Sequence, residues 1–145
     1  MSDAILEVKH LKKYFKIKGR GELHAVDDVS FTINEGETFG LVGESGCGKR
    51  TIGNLVMRLL DPTEGKLLYR GKNIYESSRE EKTELCKKMQ IIFQDPYSSL
   101  NPRKPIRSIL GESYQIQKIG KSKEEQAQID RMVRMVSGYA KRAGK

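Results

Sequence analysis

Apolar and polar positions alternate in two early stretches of the chain, residues 5–9 and 26–33, and predict strands there. In the second, Val29, Phe31 and Ile33 are separated by Ser30 and Thr32, the pattern of a half-buried antiparallel strand. Asn34-Glu35-Gly36-Glu37 reads as a turn. Thr38 to Val42 is a short apolar run, a candidate buried strand, and it leads directly into a glycine-rich loop. Behind that loop Ile52, Leu55, Val56, Leu59 and Leu60 recur at helical spacing, until Asp61-Pro62-Thr63-Glu64-Gly65 ends the helix with a turn. Lys66 to Tyr69 reads as a further strand. Ser78 and Glu81 have capping-box spacing, which predicts a helix to about Lys88, and Met89 to Phe93 is another apolar strand candidate. After a polar, proline-containing loop, Ile106 to Ile116 reads as a helix. Ser122 and Glu125 repeat the capping-box spacing ahead of a stripe made by Ile129, Met132, Val133 and Val136. Lys141 to Lys145 is expected to fray.

The loop carries the chemistry. Gly43-Glu44-Ser45-Gly46-Cys47-Gly48-Lys49 lies between a candidate buried strand and an amphipathic helix, which is the arrangement of a phosphate-binding P-loop. Its glycines allow the backbone to curl so that N–H groups meet phosphate oxygens. The helix start adds unsatisfied N–H groups and a positive dipole end. Lys49 adds a mobile charge for the β- and γ-phosphates. One residue departs from the pattern. The position after the lysine ordinarily holds a serine or threonine whose hydroxyl ligates Mg²⁺. Here it holds Arg50, whose guanidinium has no acceptor atom. Thr51 is one helical step further, a turn of roughly 100°. The expectation is therefore retained phosphate binding, weakened or lost Mg²⁺ binding, and impaired phosphoryl transfer.

Composition narrows the class. One domain is the prior for 145 residues. No stretch reaches the roughly 18 apolar residues of a membrane span, and Met1 to Ile5 lacks the basic and apolar parts of a secretion signal. Cys47 and Cys86 lack metal-site spacing and read as reduced thiols. The net charge of +8 raises nucleic-acid binding, but the lysines and arginines are scattered and are not interleaved with aromatics. A solvated basic surface is the plainer reading, so no nucleic-acid partner is expected.

Together with Gly43 to Lys49, the stretch Ile91-Ile92-Phe93-Gln94-Asp95-Pro96-Tyr97-Ser98-Ser99-Leu100-Asn101-Pro102-Arg103 resembles the ATP-binding subunits of ABC transporters. The resemblance is to the oligopeptide and dipeptide importer branch and reaches to about residue 125. It implies an α/β fold: a partial P-loop NTPase core of mostly parallel sheet, an N-terminal antiparallel β layer and the start of a helical subdomain. In these terms residues 1–95 hold the core and β layer, and 96–140 the Q-loop and the helical start. The resemblance further implies that Gly43, Glu44, Ser45, Gly46, Cys47, Gly48 and Lys49, with Arg50 and Thr51 behind them, hold the phosphates of ATP. Tyr14 would stack on adenine, or else serve as a strand-end aromatic in the core. Gln94 would approach the metal and the attacking water, or else be a loop amide capping a turn.

Implied partners are membrane-spanning permease subunits and a second ATP-binding subunit, identical or related, at the cytoplasmic face of the cell membrane. The sequence shows no Asp-Glu after an apolar strand, no Ser-Gly-Gly-Gln signature and no switch histidine. It therefore reads as a truncation or fragment, inactive in ATP hydrolysis by itself. A degenerate nucleotide-binding remnant is the alternative. A P-loop kinase or GTPase fits less well, because of the Q-loop stretch and the early antiparallel strands.

Overall fold

A computed structural model describes residues 4–95, 100–116 and 123–143. They fall into two compact units, one up to Ile91 and the other from Ile92 onward.

The first unit is built on two long strands, β1 (Ala4–Ile17) and β2 (Gly21–Asn34), followed by helix α1 (Lys49–Val56), strands β3 (Glu64–Tyr69) and β4 (Lys72–Asn73), and helix α2 (Arg79–Lys88). The strands form one antiparallel sheet in the order β2-β1-β3-β4. Both long strands outrun the lengths their alternation predicts, and their register shifts at several places, one of them at His10 and Asp28. His10 and Asp28 have φ near 50°, His10 Nδ1 lies 2.8 Å from Asp28 Oδ1, and the His10 N–H donates to Ser30 Oγ. Each strand therefore slips its pleat by one residue. In β1 the buried positions change from Leu6 and Val8 to Leu11; in β2 they change from Val26 to the half-buried Val29, Phe31 and Ile33. A bulge extends the strand while shifting the alternation to the other phase.

Leu6, Val8, Leu11, Val26, Leu67 and Ile74 form the core against Ile52 and Leu55 of α1. α1 stops at Val56, short of the apolar spacing that continues to Leu60. Arg58 has φ 56°, its N–H donates to Leu55 O, and the Leu59 N–H donates to Asn54 O. This is a Schellman end with arginine at the position glycine usually fills. Tyr75 anchors the same end: its hydroxyl lies 2.5 Å from Leu55 O and 3.0 Å from Leu60 O, and burial pushes its pKa up to about 12. α2 begins with the anticipated capping box, in which Ser78 and Glu81 exchange side-chain and backbone hydrogen bonds. The turn after β2 is also as anticipated, closed by Glu37 N–H to Asn34 O.

The anticipated parallel strands are different. Residues 38–42 and 89–93 lie outside any sheet, and the sheet among the described residues is antiparallel throughout. A parallel strand needs a neighbour delivered by a crossover connection, and neither segment pairs with a strand here. Val42 is 94% exposed and Ile92 97%.

The second unit contains α3 (Ile106–Ile116) and α4 (Lys123–Ala143). Gly111 is buried beside Ile129, and the Arg107 guanidinium pairs with Asp130. α4 carries on into the tail that was expected to fray, through Ala143. The Ser122 cap, the Pro96 to Ser99 part of the motif, and Gly144 and Lys145 lie outside the described residues. Among the described residues no helix is long and apolar enough to cross a membrane.

Candidate functional site: a glycine loop closed by its own lysine

Between Gly43 and Lys49 the chain curls into a loop and enters α1. Gly46 and Gly48 have φ of 86° and 91°, where other residues are strained. Gly48 is also fixed by packing, because a Cβ there would stand 2.2 Å from Ala25 O on β2. The start of α1 is thereby held against the sheet. At Gly43 a Cβ would meet Cys47 Sγ at 2.6 Å, so the loop's first glycine makes room for the thiol.

Lys49 folds back under the loop it ends. Its ammonium donates to Gly43 O at 2.7 Å and Glu44 O at 2.6 Å, with Cys47 Sγ at 3.4 Å. The Cys47 N–H donates to Glu44 O. Gly48 caps α1 without a side-chain acceptor, and the first turn holds no acidic residue. The result is a helix start with free N–H groups and a cation at its mouth, which suits an anion with several oxygens. Glu44 and Ser45 are exposed on the loop, and Arg50 is exposed on the first turn of α1. Thr51 is half-buried.

Position 50 decides how well a metal fits. The guanidinium offers donors only, and the hydroxyl of Thr51 is one step around the helix. Among the described residues no three His, Cys, Asp or Glu side chains are grouped to hold an ion. The loop has the donors for phosphate, and the residue beside its lysine offers no ligand atom to a cation.

Tyr14 lies on β1 opposite His24 on β2, and their rings stack with centroids 3.9 Å apart. The Tyr14 hydroxyl donates to Asp27 Oδ1 at 2.5 Å. That bond raises the tyrosine pKa and lowers the carboxylate's. The half-buried ring is thus a supported surface aromatic rather than a fully enclosed core residue. His24 and Asp27 escape sequence reasoning because they reach Tyr14 through a pairing register that bulges have shifted. Gln94 belongs to the second unit, where it is exposed in a bend.

A glycine loop that runs into a helix and is braced by the helix's first lysine defines a protein of the P-loop, phosphate-binding class. Comparison with known proteins names the branch. The sequence profile described as "ABC transporter" matches residues 26–144. The oligopeptide transport ATP-binding protein OppF of Bacillus subtilis is 50% identical over 129 residues, covering 88% of this chain and 42% of that protein. The dipeptide transport ATP-binding protein DppF of Haemophilus influenzae is 43% identical over 138 residues, covering 91% and 42%. Among solved structures, the dimeric bacterial ABC transporter cassette MJ0796 superposes with a TM-score of 0.69 at 26% identity, over 85% of this chain and 53% of that one. The chain belongs to the ABC transporter family and resembles the ATP-binding proteins of peptide importers. It spans less than half the length of the curated relatives it matches.

Proposed function

We propose that this chain forms the nucleotide-gripping part of an ATP-binding subunit that drives peptide import. The observation that carries the reading is the loop from Gly43 to Lys49, with the lysine ammonium drawn into the loop at the uncapped start of α1. In this reading the loop and Lys49 hold the phosphates of ATP, and adenine stacks on the face of Tyr14 opposite His24. Residues 1–95 are the nucleotide core with its antiparallel layer. Residues 96–140, with Gln94 just ahead of them, begin the part that meets membrane-spanning permease subunits at the cytoplasmic face. A second ATP-binding subunit, identical or related, completes the site.

A fluorescent ATP analogue titrated into the chain tests the site. Saturable binding lost in Lys49→Ala, at an unchanged melting temperature, is expected; binding that survives the substitution overturns the assignment. Uptake of a labelled tetrapeptide by cells with the gene deleted tests the substrate class. Reduced uptake is expected, and unchanged uptake overturns it.

A second reading is nucleotide binding without hydrolysis, favoured by Arg50 where a metal-binding hydroxyl is expected. Phosphate release that depends on Lys49 would exclude it.

A further inference from the structure

We infer that this P-loop binds its nucleotide without a divalent cation, Arg50 supplying the positive charge that a metal ordinarily brings. The inference rests on the P-loop reading above and concerns the ionic form of the ligand.

Three observations lead to it. Arg50 is the second residue of α1, and in a helix the Cα–Cβ bond tilts toward the N-terminus. Its side chain is exposed and, among the described residues, has no hydrogen-bond or ion-pair partner. Lys49, by contrast, already gives its ammonium to Gly43 O and Glu44 O. Of the two cations at the mouth of the loop, the arginine is therefore the uncommitted one. Finally, nothing acidic in the first turn offsets it.

A guanidinium presents parallel N–H donors that match two phosphate oxygens. It can meet the β–γ end of a fully ionised nucleotide, where a metal would otherwise bridge those oxygens. A metal bound beside it would face the fixed charge of Arg50 and would find no hydroxyl at position 50. Charge repulsion and the missing ligand act in the same direction. The free nucleotide is favoured over its magnesium complex, and added Mg²⁺ lowers occupancy by withdrawing free nucleotide.

The test is titration of a fluorescent ATP analogue into the full chain, with a chelator and then with Mg²⁺ in excess. The wild-type chain should bind as tightly or more tightly with the chelator. Arg50→Ser should bind roughly ten-fold more weakly in chelator, the loss of one charge-assisted contact, and recover with Mg²⁺. Arg50→Gln, which removes the charge without adding a metal-ligating hydroxyl, should lose the chelator binding and recover less. Inorganic triphosphate should compete with the analogue in chelator, since the phosphates carry the contact. If Mg²⁺ tightens binding by the same factor in the wild type and Arg50→Ser, the inference is overturned while the P-loop reading stands. If Lys49→Ala binds as the wild type does, the P-loop reading falls and the inference with it.

Discussion

The antiparallel sheet and the two apolar segments at 38–42 and 89–93 have similar residues and opposite fates. Leu11 and Leu67 are fully buried, whereas Val42 and Ile92 are almost fully exposed. Hydrophobicity does not separate them; connection does. β1 finds β2 through a turn of a few residues, and β3 finds β4 through Arg70-Gly71, a two-residue turn with both φ values positive. These two pairings are local in sequence, whereas β1 also pairs antiparallel with β3 across more than fifty residues. A parallel strand is buried on both faces and obtains its neighbours only by crossover.

The sharpest way to break this comparison is to truncate both kinds of side chain. Leu11→Ala should cost roughly 2–5 kcal/mol in urea unfolding, as a buried leucine leaves a cavity. Ile92→Ser should stay within about 0.5 kcal/mol, as an exposed position does. Equal losses would mean that the segment at 89–93 is packed in solution.

A second pair probes how the loop is joined to the sheet. Gly48→Ala should destabilise by roughly 1–3 kcal/mol, because a left-handed backbone and a clash with Ala25 O coincide. Gly43→Ala should cost less, since the Cys47 thiol it meets can rotate away. Thermal melts of the two variants rank them, and the reverse order would detach the loop from β2.

α2 lies between these extremes: it has no buried residue and its start is held by local bonds. Ser78→Ala should lower stability by about 1 kcal/mol through loss of the cap. Hydrogen exchange in the first turn of α2 reads the effect directly, and unchanged protection there would show that packing holds the helix.

The smallest effect belongs to the exposed Tyr14–Asp27 pair. Its hydrogen bond lowers the Asp27 pKa in the folded chain, first through the Tyr14 hydroxyl. The stabilisation is therefore complete above the ordinary carboxylate value of 3.8 and fades as pH falls through the lowered folded value. Tyr14→Phe should move the Asp27 titration upward in an NMR pH series, and an unmoved titration would show that the bond does not form in solution.

Features marked by a short local code were legible in the sequence. The Ser78–Glu81 spacing located α2, and the glycine and lysine spacing located the loop. Features set by unusual backbone were not. Alternation in β1 breaks at His10, where a bulge changes the phase of the strand without ending it. The end of α1 was missed because arginine stands where a glycine would have marked it. Strand pairing decided the rest: His24 and Asp27 meet Tyr14 only once the register is known.

The ammonium of Lys49, tied to two carbonyls of its own loop, bears on the speed of recognition as well as its strength. Two hydrogen bonds from one ammonium hold the loop's shape, so in the proposed role capture requires little ordering of the chain. What it requires instead is an exchange of partners, in which an arriving phosphate oxygen takes over a proton now given to Gly43 or Glu44. In the same reading Arg50, exposed and without a partner among the described residues, touches the anion before that exchange begins. In that reading arrival and tight seating are separate events, and low ionic strength hastens the first.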